Sequence, residues 1–213
     1  MPTLFGSAIK RREDPRLITG AATYTDDVKL PGLTYAAILR SPYAHARITR
    51  VDVSEAKKSP GVIAVYTGAD IKDKVVPVPC AWNVPNCELK VPAHPLLAHD
   101  KVRYVGDGVA MVVADSRAAA RDALDLIDVD YDTLQGGVDP EKMAQPGAPQ
   151  VHDDVPGNIA FTWVVAGGDA EQAFKSAEVS VQQRIVQQRL LPTAMEARAA
   201  VASYNKGTGQ LTL

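Results

Sequence analysis

The chain has 213 residues, of which 46% are apolar and 23% charged, a composition typical of one or two globular domains with a buried core. Its formal net charge of -2 gives no basic surface of the kind that binds nucleic acid. No run approaches about 20 consecutive apolar residues, so no membrane span is predicted, and two cysteines are too few for a disulfide framework.

The first predicted strands follow an irregular, polar N-terminal segment, residues 1–20. This segment lacks the basic start and long apolar stretch of a signal peptide, so we expect a cytoplasmic protein. Apolar runs and alternation predict three strands, over residues 33–39, 47–53 and 62–66. Between the second and the third, Ser54 is a candidate N-cap of a short helix that Pro60 and Gly61 end.

A second strand–helix–strand unit is predicted next. Residues 109–114 are an apolar strand, and Asp115 or Ser116 caps a helix over 117–126 whose apolar residues recur at helical spacing. Residues 128–132 then alternate with period two, as a half-buried strand does. Two such units favour crossovers onto a shared, mixed sheet, and therefore an α/β (α+β) fold.

A change of composition separates this region from the last third of the chain. Residues 136–157 are polar and punctuated by glycine and proline, which is typical of a linker. The elements predicted beyond the linker are a strand over 159–165, a short helix over 170–175 that Asp169 caps, a long strand over 179–190, and a hairpin with arms 201–204 and 210–213. This region therefore has the pattern of the first strands of a second α+β domain.

Several runs of residues together resemble one enzyme family. They are YTDDVKLPGLTYAAILRSPYAHARI at 24–48, HPLLA at 94–98, DKVRYVG at 100–106, MEAR at 195–198 and TGQLTL at 208–213. The set is similar to the molybdopterin-binding large subunits of the xanthine dehydrogenase, aldehyde oxidase and carbon monoxide dehydrogenase family, and most of all to carbon monoxide dehydrogenase-like large chains. The chain departs from the family at Asp107 and Gly108, where the family usually has Glu-Pro.

The resemblance implies an architecture and a chemistry. It implies a hammerhead domain over residues 21–135, followed after the linker by a truncated start of the molybdopterin-binding region over 158–213. A molybdenum–molybdopterin centre in the complete enzyme would oxidise a substrate, and iron–sulfur clusters and FAD on partner subunits or domains would carry the electrons away. The homo-oligomeric state is left open.

The resemblance transfers no working residue to this chain. The family's cofactor-contacting glutamine, its glycine-rich segment and its distal acidic base have no counterpart here. We therefore assign no catalytic, cofactor-binding or metal residue, and we expect the isolated chain to be inactive. The alternative is a non-catalytic scaffold or docking module, and whether the natural chain continues past Leu213 would discriminate the two.

One set of side chains has the composition of a metal site. Cys80, Cys87, His94 and His99 are separated by six, six and four residues. Structural zinc sites usually pair cysteines across two to four residues, so the spacing favours free thiols in a proline-rich loop.

Other candidate residues have a structural explanation that competes with a functional one. His45 could act as a base, but a histidine bonded to backbone is favoured because no nucleophile accompanies it. Glu196 and Arg198 could approach the cofactor in the full enzyme, but an ion pair along one strand face is favoured. The weakest candidates are Gly106-Asp107-Gly108 as a phosphate loop, Asp26 and Asp27 as a calcium site, and Trp82 and Trp163 as a stacking platform, the two tryptophans being interpreted as isolated aromatics.

Overall fold

The computed structural model describes residues 4–83 and 85–213. The chain divides into two compact units, one formed by Thr34–Ser176 and one formed by Met1–Leu33 with Ala177–Leu213. Among the described residues, no helix combines the length and the apolar character needed to cross a bilayer.

The secondary structure is made of short elements. The strands are β1 (Tyr35–Arg40), β2 (Ala46–Asp52), β3 (Val62–Thr67), β4 (Lys101–Val102), β5 (Gly108–Ala114), β6 (Asp128–Thr133), β7 (Ser203–Asn205) and β8 (Gln210–Thr212). The α-helices are α1 (Asp14–Ile18), α2 (Gly68–Ile71), α3 (Arg117–Asp122), α4 (Pro140–Met143) and α5 (Ala170–Ser176). Short 3-10 helices cover Thr25–Asp27, Ala56–Lys58, Ala123–Leu126 and Pro156–Asn158.

The strands of the unit Thr34–Ser176 form two three-stranded antiparallel sheets, in the orders β1-β5-β3 and β4-β2-β6. The α/β (α+β) fold class is confirmed, but the prediction of one shared, mixed sheet is wrong. Each predicted strand–helix–strand unit sends its two strands to different sheets, β2 and β3 in the first unit, β5 and β6 in the second. The helical segment between them passes from one sheet to the other, whereas a parallel pair would require it to return to the same sheet.

The core lies around the central strand β5. Val109, Ala110 and Val112 of this strand are completely buried. Ala56 and Ala123, from the helical segments of the two units, belong to the same apolar cluster as Val112. The small alanine side chains let both helical segments approach the sheet closely, and each buried valine stabilises the fold by about 1.5–3 kcal/mol relative to an exposed one.

Helix α3 begins where the sequence predicts it. Ser116 is the N-cap, and its Oγ accepts a hydrogen bond from the backbone N–H of Ala119 at 3.2 Å. The 3-10 helix Ala123–Leu126 continues the helical segment to its predicted end. This agreement follows from the local nature of an N-cap, which requires only the cap residue and the first turn.

The predicted helix after β2 is only a 3-10 turn, Ala56–Lys58, and its N-cap is Glu55. Ser54 is not the cap, because its hydroxyl and its backbone N–H both donate to Asp52 Oδ1, at 2.5 and 2.9 Å. Ser54 therefore closes a local side-chain turn at the end of β2, a competing use that serine and aspartate favour.

The segment 136–157, predicted to be a linker, contains helix α4 and is fastened by side chains. Asn158 Nδ2 donates to the carbonyl oxygens of Met143 and Pro149, and its Oδ1 accepts from Val151 N, all at 2.9 Å. Lys101, at the start of β4, is buried and forms an ion pair with Asp153 at 3.1 Å. Gly147 and Gly157 take positive φ angles of 84° and 66° in this segment.

Helix α5 is confirmed, and Asp169 Oδ1 accepts from Gln172 N at 2.9 Å as a cap should. The predicted strands over 159–165 and 179–190 are wrong, because neither range is assigned as a strand. Apolar runs can form a strand only beside a neighbour that pairs with their backbone groups. A sequence pattern records the apolar face of a segment but not the presence of that neighbour.

The unit formed by Met1–Leu33 with Ala177–Leu213 contains α1 and the predicted hairpin β7–β8. The hairpin is antiparallel, with Tyr204 opposite Leu211, and Gly209 takes a positive φ of 71° in its turn. Helix α1 corrects the expectation of a wholly irregular segment over residues 1–20; Pro15 in its first turn has a φ that suits a helix start.

Candidate functional site

A cavity of about 320 Å³ lies in the unit Thr34–Ser176, next to the turn between β4 and β5. One wall is apolar and comes from two stretches of the proline-rich loop, 78–80 and 91–95, which Val78 N joins by donating to His94 O at 2.8 Å. The polar side chains at the cavity are His94, Arg103, Tyr104, Asp107 and His152. An apolar wall with a few polar groups is the usual form of a small-molecule site.

The turn between β4 and β5 is held by hydrogen bonds to Asp107 and Ser41. The buried Asp107 carboxylate accepts from Arg103 N at 3.1 Å, and Asp107 O accepts from Ser41 N at 2.8 Å. Gly106 has a φ of 94° and donates its N–H to Ser41 O at 2.8 Å. Gly106-Asp107-Gly108 is therefore a structural turn. The Asp107 carboxylate already accepts from Arg103 N, so this backbone donor is not free for a phosphate.

Arg103 is the cation at the cavity. Its Nη1 donates to Lys101 O at 3.1 Å and lies 3.8 Å from Asp100 Oδ1. Its Nε is buried and has no hydrogen-bond partner among the described residues. The side chain keeps 18% of its exposure. A buried donor of a charged group is costly to leave unpaired, so Nε is an unsatisfied hydrogen-bond donor beside the cavity.

Two aromatic rings meet near this arginine. The rings of His94 and Tyr104 are perpendicular, with centroids 6.3 Å apart, and Tyr104 Oη lies 3.4 Å from His94 Nε2. Burial raises the pKa of the Tyr104 hydroxyl, and the charge of Asp107 raises it further. Burial lowers the pKa of the His152 imidazole, and the positive charge of Arg103 adds to this effect. At neutral pH, Tyr104 is therefore a protonated donor and His152 is uncharged.

Of the cysteines and histidines with metal-like spacing, Cys80 and His94 line the same cavity. Cys80 Sγ lies 3.6 Å from Trp82 O, and His99 Nδ1 lies 3.7 Å from Asp100 Oδ1. Across residues 4–83 and 85–213, no group of three histidine, cysteine, aspartate or glutamate side chains could hold a metal ion. Trp82 is not isolated as expected, because its ring packs edge-on against Phe161 at 5.0 Å.

His45 is a buried histidine bonded to backbone, as the sequence predicts. Its Nδ1 donates to the carbonyl oxygen of Gln135 at 2.9 Å, and only 6% of the residue is exposed. Its Nε2 is buried with no partner among the described residues. The imidazole therefore links the start of β2 to the residues that follow β6.

Glu196 has a role that the sequence did not indicate. Its Oε1 accepts from both the backbone N and the Oγ1 of Thr25, each at 2.9 Å. Residues 196–198 are not part of a strand, and no ion pair between Glu196 and Arg198 is among the contacts of the described residues. The expected pairing is therefore wrong, and Glu196 instead fastens the 3-10 helix Thr25–Asp27.

Arg50 forms a charge cluster that sequence reasoning missed. It bonds to Asp130 at 2.7 Å, to Asp52 at 3.1 Å and also to Asp128. Arg50 lies opposite Asp130 in the antiparallel pair of β2 and β6. The alternating aspartates of β6 were a visible signal, but only the strand register brings them to one arginine.

Comparison with known proteins identifies the architecture. The family model described as "Aldehyde oxidase and xanthine dehydrogenase, a/b hammerhead domain" matches residues 19–135. The chain belongs to this family. A second model, the molybdopterin cofactor-binding domain, matches residues 151–213 of this hammerhead-domain protein.

The relatives of this hammerhead-domain protein are much longer. The nicotine 6-hydroxylase large subunit of Paenarthrobacter nicotinovorans is 38% identical over 99% of this chain and 25% of its own length. The carbon monoxide dehydrogenase large chain of Afipia carboxidovorans is 38% identical over 98% of this chain and 26% of its own length. The crystal structure of quinoline 2-oxidoreductase from Pseudomonas putida 86 has a TM-score of 0.82 at 37% identity, over 97% of this chain and 26% of that one. The chain thus spans about a quarter of the length of these relatives.

Residues 177–213 do not form an enclosed site for a molybdopterin cofactor. Every residue from 177 to 213 is exposed except Val201, which is partly buried. A cofactor of that size is held by donors that the fold has already removed from water. The described residues of this region provide no enclosed set of polar atoms, so we derive no chemical step through the cofactor and assign it no residue.

Proposed function

We propose that this chain is the N-terminal part of the large subunit of a molybdenum-dependent oxidoreductase. The observation that carries the proposal is the order of the two family matches, hammerhead domain first and molybdopterin cofactor-binding domain second. In this proposal the chain has a structural and assembly role, with a hammerhead domain over 21–135, a linker over 136–157 and the start of the cofactor-binding region over 158–213. Catalysis requires the cofactor-binding region that the relatives possess.

The partners follow from the same proposal. The complete enzyme would pass electrons from molybdenum–molybdopterin to iron–sulfur clusters and FAD on partner subunits or domains, in the cytoplasm. The printed names of the relatives support a multi-subunit arrangement, since they include a large subunit, a large chain and the gamma subunit of a 6-hydroxypseudooxynicotine dehydrogenase complex.

Sequence similarity does not select a substrate. Relatives named for nicotine and for carbon monoxide are both 38% identical to this chain, and the structure named for quinoline is 37% identical. Substrate preference depends on a few pocket residues, whereas identity averages over the whole fold.

The test is to purify the protein that carries this sequence from its natural source and to measure its mass and its molybdenum, iron and flavin content. We expect a subunit much larger than 213 residues, with about one molybdenum per large subunit. The 213-residue chain produced alone is the control and should hold no stoichiometric molybdenum. A natural protein without molybdenum would refute the proposal and favour a scaffold or docking module.

A further inference from the structure

We propose that the cavity between the proline-rich loop and the β4–β5 turn binds a small monocarboxylate with one planar apolar ring. No redox step is involved, and the inference does not depend on the proposed oxidoreductase function. The cavity volume of about 320 Å³ lies within the usual range for small-molecule sites, roughly 300–1,000 Å³.

The walls suit a flat apolar body. Val78, Val91 and Pro92 supply aliphatic surface, and the perpendicular rings of His94 and Tyr104 supply aromatic surface. Aromatic rings favour edge-on or offset contact with another ring, so a planar ligand is better matched than a branched aliphatic one.

The positive charge of Arg103 at the cavity favours a ligand with a single negative charge. Arg103 lines the cavity with 18% of its side chain exposed, and its Nη1 donates to Lys101 O at 3.1 Å and lies 3.8 Å from Asp100 Oδ1. A carboxylate in the cavity can form charge-assisted hydrogen bonds with the exposed part of this guanidinium, whose planar fork suits a carboxylate.

Neighbouring groups disfavour other ligand classes. The buried Asp107 carboxylate lies at the same cavity and repels any anion, so it disfavours a doubly charged phosphate monoester more than a monocarboxylate. A cationic ligand would meet the fixed positive charge of Arg103. Tyr104 and the uncharged His152 can add neutral hydrogen bonds without changing the charge balance.

The experiment is an NMR titration of the 213-residue chain with benzoate, observed at the imidazole signals of its four histidines. His94 and His152 line the cavity, whereas His45 and His99 do not and serve as internal controls. We expect benzoate to shift only the first pair. Benzamide has the same shape and no charge, and its affinity should be lower than that of benzoate by about tenfold or more.

Two variants separate recognition of charge from occupation of space. Arg103→Gln should weaken benzoate binding by about tenfold or more, whereas Arg121→Gln on the exposed face of α3 should leave it unchanged. Ala93→Phe should fill the cavity and abolish the histidine shifts. Because this variant keeps Arg103, it tests the proposal even if Arg103→Gln does not fold.

Three results would each overturn the proposal. The first is that benzoate shifts neither His94 nor His152, or shifts all four histidines alike. The second is that benzamide binds as tightly as benzoate. The third is that Ala93→Phe leaves the titration unchanged.

Discussion

At the scale of single residues, charged side chains hold the turns of this structure by bonding to backbone groups or to side chains of opposite charge. Lys101 is only 7% exposed, and its ammonium group is paired with Asp153 at 3.1 Å. Asp153 itself is largely exposed, so the pair joins a buried cation to a carboxylate at the surface. This single contact joins the segment 136–157 to the start of β4.

The Lys101–Asp153 pair predicts a pH dependence of stability. The hydrogen bond from Lys101, and then its charge, lowers the pKa of Asp153 below the ordinary value of 3.8. Because the pKa is lower in the folded state, the stabilisation is fully present above the ordinary, unfolded-state pKa. It is lost as the pH falls through the folded-state pKa. Asp153→Asn should therefore lower the thermal midpoint at pH 7, and the difference in thermal midpoint from the wild type should narrow as the pH falls below the ordinary value of 3.8.

The control for this prediction is the neighbouring residue. Asp154→Asn removes the same charge without removing the partner of Lys101, so its thermal midpoint should stay close to that of the wild type at pH 7. If both variants lost the same stability, general charge balance would explain the effect and the ion pair would not.

At the scale of elements, β5 organises the larger unit because it is the central strand of its sheet and is buried along most of its length. Strands β1 and β3 pair with its two edges, and the helical segments before β3 and after β5 pack in the same apolar cluster. The stability of several elements therefore depends on a single strand.

A core truncation in β5 measures this dependence. Val112 has no exposed surface, and Val112→Ala should lower the free energy of unfolding by about 2–3 kcal/mol, because burial is lost and a cavity remains. Val138→Ala is the matched control, since Val138 is 98% exposed and its truncation should change stability by less than about 0.5 kcal/mol. Urea unfolding would measure both, and similar losses would show that β5 is not the energetic centre.

At the scale of the whole molecule, the two compact units differ in how much surface they bury. The unit Thr34–Ser176 contains both apolar core clusters. From 177 to 213, only Val201 is even partly buried, and the hairpin β7–β8 forms a sheet of two strands. A two-stranded hairpin is marginal in water without a packed face.

Hydrogen exchange should resolve the two units. Amides from 177 to 213 should exchange at least about 100-fold faster, relative to their unfolded rates, than those of Gly108–Ala114, because local opening there exposes little buried surface. The measurement requires a sample shown to be monomeric, since association could protect the hairpin. Equal protection in such a monomer would show that residues 177–213 have a stable partner within the chain.

The sequence by itself determined the elements whose signals are local. The family resemblance, the strands β1, β3, β5 and β6, the helix capped by Ser116, and the backbone-bonded His45 all follow from periodicity, capping or a contiguous motif. Only the tertiary structure decided the sheet that each strand joins, the absence of strands over 159–165 and 179–190, and the cavity at Arg103. Those features depend on contacts between residues far apart in the chain. Gly68 shows the reason, because any side chain there would meet the backbone carbonyl of Ala98, a neighbour that no sequence spacing reveals.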